Sequence, residues 1–328
     1  MSSFFPTAAG SDHGSGGRTL AEVGEFALID EITAGLPAAP DVMIGPGDDG
    51  AVLAVDSPLV CTVDVLIQDV HFKSQWSSAT DVGRKAVAVN VADIEAMGGT
   101  ATAIVVGFAA PADTPESWAL DFARGLRAEC ETAGVSLVGG DVTRSAQIAI
   151  SVTALGTLDG RAPVRRDGAR PGQVVALCGR VGWAAAGLAV LGRGFRSPRA
   201  AVQAQKVPEV PYGQGKVAAL AGATSMIDIS DGLLADLGHV AERSGVAIDL
   251  RRDAFEIAEP LQAVAAATGS DPLKLILTGG EDHALAATFA ADAVPEGWTV
   301  IGAVNDGEPG VTVDGAPWEG DAGWDHYA

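Results

Sequence analysis

The sequence predicts an α+β protein built from two domains. Strand-like and helix-like segments mix in both halves, with consecutive strands in places, a pattern that a single doubly wound sheet does not produce. A stretch rich in Arg, Gly and Pro at 159–172 separates the halves. The chain has 328 residues and a hydrophobic content of 48%, enough for two domains of ordinary size, each with its own core. The expected organisation is a disordered tail over 1–20, an N-terminal domain over 21–160 and a C-terminal domain over 161–328.

Taken in order, residues 22–36 carry Val23, Phe26, Ile29 and Ile32 at helical spacing, with Leu28 beside them, and Gly35 and Pro37 close the helix. Residues 51–55 and 59–65 read as paired strands around the turn Asp56-Ser57-Pro58. A helix over 81–97 ends at Gly98-Gly99, and 101–109 is a buried strand. The helix over 115–133 takes Thr114 as its N-cap. A short strand over 135–138 stops at Gly139-Gly140-Asp141, and 148–157 forms another. Beyond the boundary, strands are expected at 174–178, 225–229, 247–250, 284–289 and 299–303. The helices there are expected at 183–191, 232–244 and 258–268.

Acidic residues number 42 against 21 basic ones, for a formal charge of −21. Repulsion from phosphate backbones argues against nonspecific nucleic-acid binding. A cation-dependent site for a small phosphorylated ligand survives that argument, because bound metal reverses the local field. No apolar run approaches the ~20 residues a bilayer span needs, so no membrane partner is expected. Cys61, Cys130 and Cys178 are scattered, without metal-ligand spacing, and read as buried small hydrophobes in a reducing compartment. The start of the chain lacks the charged and apolar regions of a signal peptide, and a cytoplasmic location is expected.

The aspartates carry the chemistry. They sit in short clusters, mostly beside glycines and apolar runs: Gly47-Asp48-Asp49-Gly50, Asp64 with Asp69, Gly139-Gly140-Asp141 and Asp228-Ile229-Ser230-Asp231-Gly232. Asp93 lies within an apolar helical stretch, three residues from Asn90 and on the same face. Gathered at about 5 Å with an effective dielectric near 20, each carboxylate pair costs roughly 3 kcal/mol. Divalent cations relieve that repulsion, and hard oxygen ligands suit magnesium bridged to phosphates. Each cluster also has a plainer reading: an Asp-Gly turn before the strand at 51, a solvent-facing Asp93, a βα turn at Gly139-Gly140, or Asp231 as a helix cap. That cap does not explain Asp228 at the end of a strand. His71 follows two acids, where an imidazole can hold a phosphate. Gly279-Gly280-Glu281-Asp282-His283 is a glycine turn with acids, equally readable as a surface turn. No GxxxxGK[ST], protein-kinase HRD or DFG run, GxSxG elbow or HExxH is present.

Together and in order, these motifs resemble the thiamine-monophosphate kinase family of the aminoimidazole-ribonucleotide-synthetase-like ATP-binding superfamily. The matching residues begin with Gly24-Glu25-Phe26, Gly47-Asp48-Asp49, Asp64 with His71-Phe72, Ala88-Val89-Asn90 with Asp93, and Ala96-Met97-Gly98. They continue through Gly139-Gly140-Asp141-Val142-Thr143-Arg144, Asp228-Ile229-Ser230-Asp231-Gly232 and Gly279-Gly280-Glu281-Asp282 to Gly323-Trp324-Asp325-His326-Tyr327. The resemblance spans 22–327.

It implies a PurM/AIR-synthetase-like fold, with an N-terminal α/β domain on a mixed sheet and a C-terminal α+β domain, assembled as a homodimer. It also implies transfer of the ATP γ-phosphoryl group to thiamine monophosphate, with Mg²⁺. Implied metal ligands are Asp49, Thr62, Asp64, Asp93, Asp141, Asp228 and Asp231, of which Asp49, Asp141 and Asp231 are placed closest to the chemistry. Gly140, Asp141, Arg166 and Ser230 are implied at ATP, and His71, Glu281 and Trp324 at thiamine monophosphate. Two departures stand out. Thr62-Val63 replaces a hydroxyl pair before Asp64, and the Arg165-Arg166 pair leaves two arginines for one contact.

The chemistry of the residues agrees. A phosphate monoester is already an anionic nucleophile near pH 7, its second pKa being about 6, so the transfer needs charge neutralisation and in-line placement rather than a general base. The alternatives are a selenophosphate or aminoimidazole-ribonucleotide synthetase-like enzyme, or a noncatalytic nucleotide- or cation-binding module. The reactive Cys and Lys of the selenium enzyme have no counterpart before Gly47.

Overall fold

The structure, a computed structural model, describes residues 18–23, 25–36, 42–44, 52–55 and 58–324. Two sheets organise the chain. A four-stranded sheet has the strand order 59–67, 149–157, 100–110, 136–144, and a seven-stranded sheet the order 316–317, 310–313, 247–250, 299–305, 174–178, 285–289, 225–228.

The N-terminal part opens with α1 (Leu20–Val23) and α2 (Glu25–Thr33), followed by the short antiparallel pair β1 (Val42–Ile44) and β2 (Val52–Leu53). The expected pairing of 51–55 with 59–65 does not occur. Strand β2 pairs with β1, whereas β3 (Leu59–Ile67) runs antiparallel to β6 (Ala149–Thr157) along its whole length. A long sheet edge is a better partner for nine residues of β3 than a two-residue strand.

Helix α3 (Ala79–Ala96) starts in a capping box, with the Asp81 N–H donating to Ser78 Oγ and the Ser78 N–H to Asp81. It is buried on every face and touches both sheets, the pattern of a core helix rather than an amphipathic surface one. It crosses α4 (Glu116–Ala133) at glycines: a Cβ on Gly83 would strike the Phe122 carbonyl, and one on Gly125 the Thr80 carbonyl. Thr114 is not the cap of α4; Pro115 holds that position with no side-chain hydrogen bond, its fixed φ making it a natural entry to a helix.

Strand β4 (Thr100–Ala110) pairs antiparallel with β6 and parallel with β5 (Ser136–Arg144). Strand β5 does not stop at Gly139-Gly140-Asp141 but runs through it. A bulge at Val138 shifts the register, and Gly140 lets the backbone close on the Val106 carbonyl, where any Cβ would clash. The glycine pair is a close approach inside a sheet, not a turn.

In the C-terminal part, β7 (Val174–Cys178), β8 (Ser225–Asp228), β9 (Ala247–Leu250), β10 (Leu285–Phe289), β11 (Thr299–Asn305), β12 (Gly310–Val313) and β13 (Ala316–Pro317) are paired antiparallel except for β9 with β12. The helices are α5 (Trp183–Gly192), α6 (Arg199–Lys206), α7 (Gln214–Leu220), α8 (Leu233–Ser244), α9 (Glu259–Thr268) and α10 (Pro272–Thr278). Val175 and Leu177 of β7 face the main helical core, while the alternating Ala176 and Cys178 join a second cluster with Ala218 of α7 and Ala96 of α3. Helix α3 therefore lies in the core of both halves.

Among the described residues no helix is long and apolar enough to cross a membrane. Cys61 is exposed on β3, contrary to the expectation that all three thiols are buried. Burial pushes the Cys130 thiol up to about 12 and Cys178 to about 11, which makes both poor nucleophiles at neutral pH.

Candidate active site between the two sheets

Strand β3 alternates faces. Thr62 and Asp64 turn toward α3, while Val63 and Val65 are 56% and 44% exposed on the other side. Thr62 Oγ1 donates to Asp93 Oδ2 at 2.6 Å, and the Asp64 N–H donates to Asn90 Oδ1 at 2.9 Å. Asn90 in turn donates to the Ala86 carbonyl one helical turn back, 2.9 Å away. The i, i+3 pair read from the sequence thus fastens α3 to the inner face of β3.

The second wall comes from the other sheet. Asp228 ends β8, buried, and its Oδ2 lies 3.0 Å from His283 Nδ1, also buried. Burial alone would depress the His283 imidazole, but the hydrogen bond and charge of Asp228 outweigh it and hold the ring's pKa above its ordinary value. Burial, and then the charge of Asp228, push the Asp93 carboxyl up to about 7 against the opposing Thr62 hydroxyl. Asp64 is raised by burial too, with His283 opposing. Three carboxyls from β3, α3 and β8 thus share one region whose repulsion favours a proton or a cation.

After β8 the chain turns through Ile229-Ser230-Asp231-Gly232. The N–H groups of Ser230, Asp231 and Gly232 all donate to Asp236 Oδ2, at 3.0, 3.1 and 3.1 Å. Burial and Asp228 push that carboxyl up to about 7 despite the three donors. Asp231 is not the cap of α8: Gly232 takes that place with no side-chain bond, and no hydrogen bond among the described residues engages the Asp231 carboxylate.

The turn at 279–283 packs directly on this one. Its Glu281 N–H donates to the Ser230 carbonyl at 2.7 Å, and a Cβ on Gly280 would strike that same carbonyl. Glu281 has φ 67° and His283 φ 52°, a left-handed backbone that costs non-glycine residues roughly 1–2 kcal/mol each. Asp282 points away, accepting from Gly182 at 2.5 Å and Ala184 at 2.8 Å at the start of α5, with burial pushing it up to about 7.

His71 Nδ1 accepts from the Ile67 N–H at 3.0 Å, which places the proton of the neutral ring on Nε2. Burial would raise the Glu281 carboxyl, but Lys85, bonded to it at 2.5 Å, holds it below its usual range. The Trp324 backbone N–H donates to the Asp231 carbonyl at 2.9 Å, and the residue is 63% exposed beside that turn.

A cavity of about 490 Å³ opens between the sheets, lined among others by Thr62, Asp93, Arg165, Arg166, Asp228 and Arg243. Its lining mixes Asp93, Asp167 and Asp228 with three arginines. Arg165 is tied to Asp167 at 2.5 Å, while no hydrogen bond among the described residues engages the Arg166 side chain.

Three expected members do not appear among these residues. Asp49, with the rest of Gly47-Asp48-Asp49-Gly50, lies outside the described residues, as do Gly24 and Asp325-His326-Tyr327. Gly140 and Asp141 are described but distant. Pairing runs from Asp64 to Val152, on to Val106 and then to Gly140. Three strand spacings of about 4.8 Å separate them, on the order of 14 Å within one chain. Among the described residues no three His, Cys, Asp or Glu form a group able to hold a metal ion by themselves.

The reading from sequence passed over Asp236 and gave no role to His283 or Lys85. An acid in the first turn of a helix that follows a glycine turn was the available signal for Asp236.

This architecture defines a class. The chain matches the AIR synthase related protein family, its N-terminal domain model over 47–158 and its C-terminal domain model over 170–314. A thiamine-monophosphate kinase of Mycobacterium tuberculosis is 49% identical over 94% of this chain and 93% of that protein. The crystal structure of thiamine-monophosphate kinase from Stenotrophomonas maltophilia superposes with a TM-score of 0.79 at 34% identity, covering 89% of this chain and 97% of that one. A structure of AaThiL complexed with AMPPCP and TMP covers 95% of this chain and 100% of that one, with TM-score 0.76 and 33% identity. The chain belongs to the thiamine-monophosphate kinase family.

Proposed function

We infer that this protein transfers the γ-phosphoryl group of ATP to thiamine monophosphate, giving thiamine diphosphate and ADP. The observation that carries the reading is a single cavity lined by Thr62, Asp93 and Asp228 together with Arg165 and Arg166. With divalent cations held by its carboxyls, such a site could neutralise two polyanions and hold them in line, which is most of what this transfer requires. Family membership and the relative bound to AMPPCP and TMP support it.

Arg166, with its side chain uncommitted, is the proposed ATP contact, together with Ser230 in the turn. The Nε2–H of His71 suits the acceptor phosphate. Glu281 suits the cationic, amine-bearing head of thiamine, and Trp324 offers an exposed ring for stacking. The acceptor phosphate attacks as an anion, so no residue need act as a general base.

All the candidate metal donors are oxygens: Thr62, Asp64, Asp93, Asp228 and Asp231, with Asp49 and Asp141. This donor set fits Mg²⁺, which is usually held by one or two carboxylates with waters and substrate phosphates rather than by a closed protein cage. Bound there, Mg²⁺ supplies the charge neutralisation that the carboxyls lack.

The enzyme is proposed to act as a homodimer in the cytoplasm. The face of the four-stranded sheet opposite α3 and α4 exposes Leu59, Val63 and Val65 on β3. Two copies packed by these faces, with β5 of each beside β3 of the other, would cover that apolar surface and bring Asp141 toward the partner's Asp64. The residues over 21–160 would then carry the metal and nucleotide contacts together with the dimer face.

The test is incubation of purified protein with ATP, MgCl₂ and thiamine monophosphate, with thiamine species resolved by chromatography. Metal-dependent thiamine diphosphate with matching ADP is the expected result. Absence of product from folded protein that binds ATP would overturn it.

A further inference from the structure

Lys85 is 1% exposed in the middle of α3, where a solitary ammonium would be strongly disfavoured. Its three acceptors come from three segments distant in the sequence. Nζ donates to Glu281 Oε2 at 2.5 Å, to the His71 carbonyl at 3.1 Å and to the Gln205 carbonyl near the end of α6 at 3.5 Å. The lysine is enclosed, whereas the Glu281 side chain keeps 38% of its surface exposed. Lys85 is therefore shut away behind Glu281, and Oε1 of that carboxylate takes no hydrogen bond among the described residues.

The same ammonium ties down the loop that carries His71. The two groups assigned to opposite ends of thiamine monophosphate, a carboxylate for the head and an imidazole N–H for the phosphate, are thus referred to one buried cation. His71 follows β3 of one sheet, Glu281 precedes β10 of the other, and Lys85 of α3 bonds to both segments. We propose that Lys85 is a positioning residue that fixes the spacing between Glu281 and His71, and so sets the length and charge pattern of the acceptor. The proposal rests on the assignment of Glu281 and His71 to the acceptor given above.

The experiment compares wild type, Lys85→Met, Glu281→Gln and the double variant. It measures KM for thiamine monophosphate, KM for ATP, kcat and Tm. Losing a charge-assisted hydrogen bond should raise KM for thiamine monophosphate about tenfold in Lys85→Met, with KM for ATP little changed. Adding Lys85→Met to Glu281→Gln should raise it far less than in wild type, because the lysine acts through the carboxylate.

A parallel rise in both KM values with a lowered Tm would overturn the proposal in favour of a purely structural ammonium. So would failure of both lysine variants to fold. If Glu281→Gln leaves the acceptor KM unchanged, the assignment of Glu281 itself fails. That result differs from one in which Glu281→Gln raises the constant and Lys85→Met does not, which overturns the role of Lys85 alone.

Discussion

The Asp228 carboxylate and the His283 imidazole meet at 3.0 Å, one at the end of β8 and the other just before β10, both buried. With one oxygen held by the ring, the carboxylate is oriented for any cation that its other oxygen meets. Outer partners of this kind typically change metal affinity by about ten- to a hundredfold. His283→Ala should therefore raise the Mg²⁺ concentration for half-maximal activity by about that factor, as read from activation curves at saturating substrates. An unchanged curve would remove Asp228 from the metal set.

Asp93 provides a pH test. Its carboxyl is raised from 3.8 to about 7, so the folded chain holds the proton more tightly than the unfolded one. The resulting stability is present below the ordinary pKa and is lost as pH rises through the folded value. In EDTA, the stability of wild type relative to Asp93→Asn should fall between about pH 4 and pH 7. Mg²⁺ should raise the wild-type Tm more at pH 8 than at pH 5, since the ionised site binds it better. Calorimetry at these pH values decides, and a Mg²⁺ effect independent of pH would count against Asp93 as a ligand.

The arginine pair separates by occupation. Arg165 is bound to Asp167, whereas Arg166 lines the same cavity uncommitted. Arg166→Ala should raise KM for ATP by roughly ten- to a hundredfold, the value of a charge-assisted contact. Arg165→Ala should have a smaller effect. The reverse order would assign the contact to Arg165.

Asp231 has no competing structural duty, since Gly232 is the helix cap and Asp236 holds the turn. Asp231→Asn should keep the wild-type Tm and lower kcat by at least about a hundredfold, as expected for loss of preorganised electrostatic stabilisation. Wild-type turnover in that variant would sink its assigned role.

The open face of β3 tests the assembly. Val63→Glu, at a position 56% exposed, should give a monomer by light scattering if that face is the interface. If Asp141 serves the partner's site, inactive Asp64→Asn and inactive Asp141→Asn chains should complement one another. Random pairing places one intact site in half of the dimers and restores about a quarter of wild-type activity. No recovery on mixing would place both aspartates in the same site.

Local patterns made much of this fold readable. The strands at 174–178 and 247–250 and the helix at 183–191 match β7, β9 and α5 closely, because each is a mainly apolar segment between turn residues. Helices α6, α7 and α10 were passed over. They are seven or eight residues long, and their stability comes from tertiary packing rather than local sequence. The glycine pair at Gly139-Gly140 misled because a glycine needed for close strand approach looks the same as one needed for a turn. In the site, Asp64, Asp93 and Asp228 were legible as acids beside apolar runs, and Thr62 entered through the family resemblance alone. The Lys85–Glu281 bond spans 196 residues, and no local pattern announces such a partnership. The separation of Asp141 from Asp64 emerged only with the strand order β3-β6-β4-β5.

Helix α3, buried on all sides and packed against both sheets, also constrains motion. Domains that clamp by hinging need a thin or wet seam, and a large apolar interface withholds that freedom. With a single helix in both cores, the halves cannot rock apart without exposing it. Substrates must then be admitted and sealed in by loops alone, and heating should melt both halves in one transition.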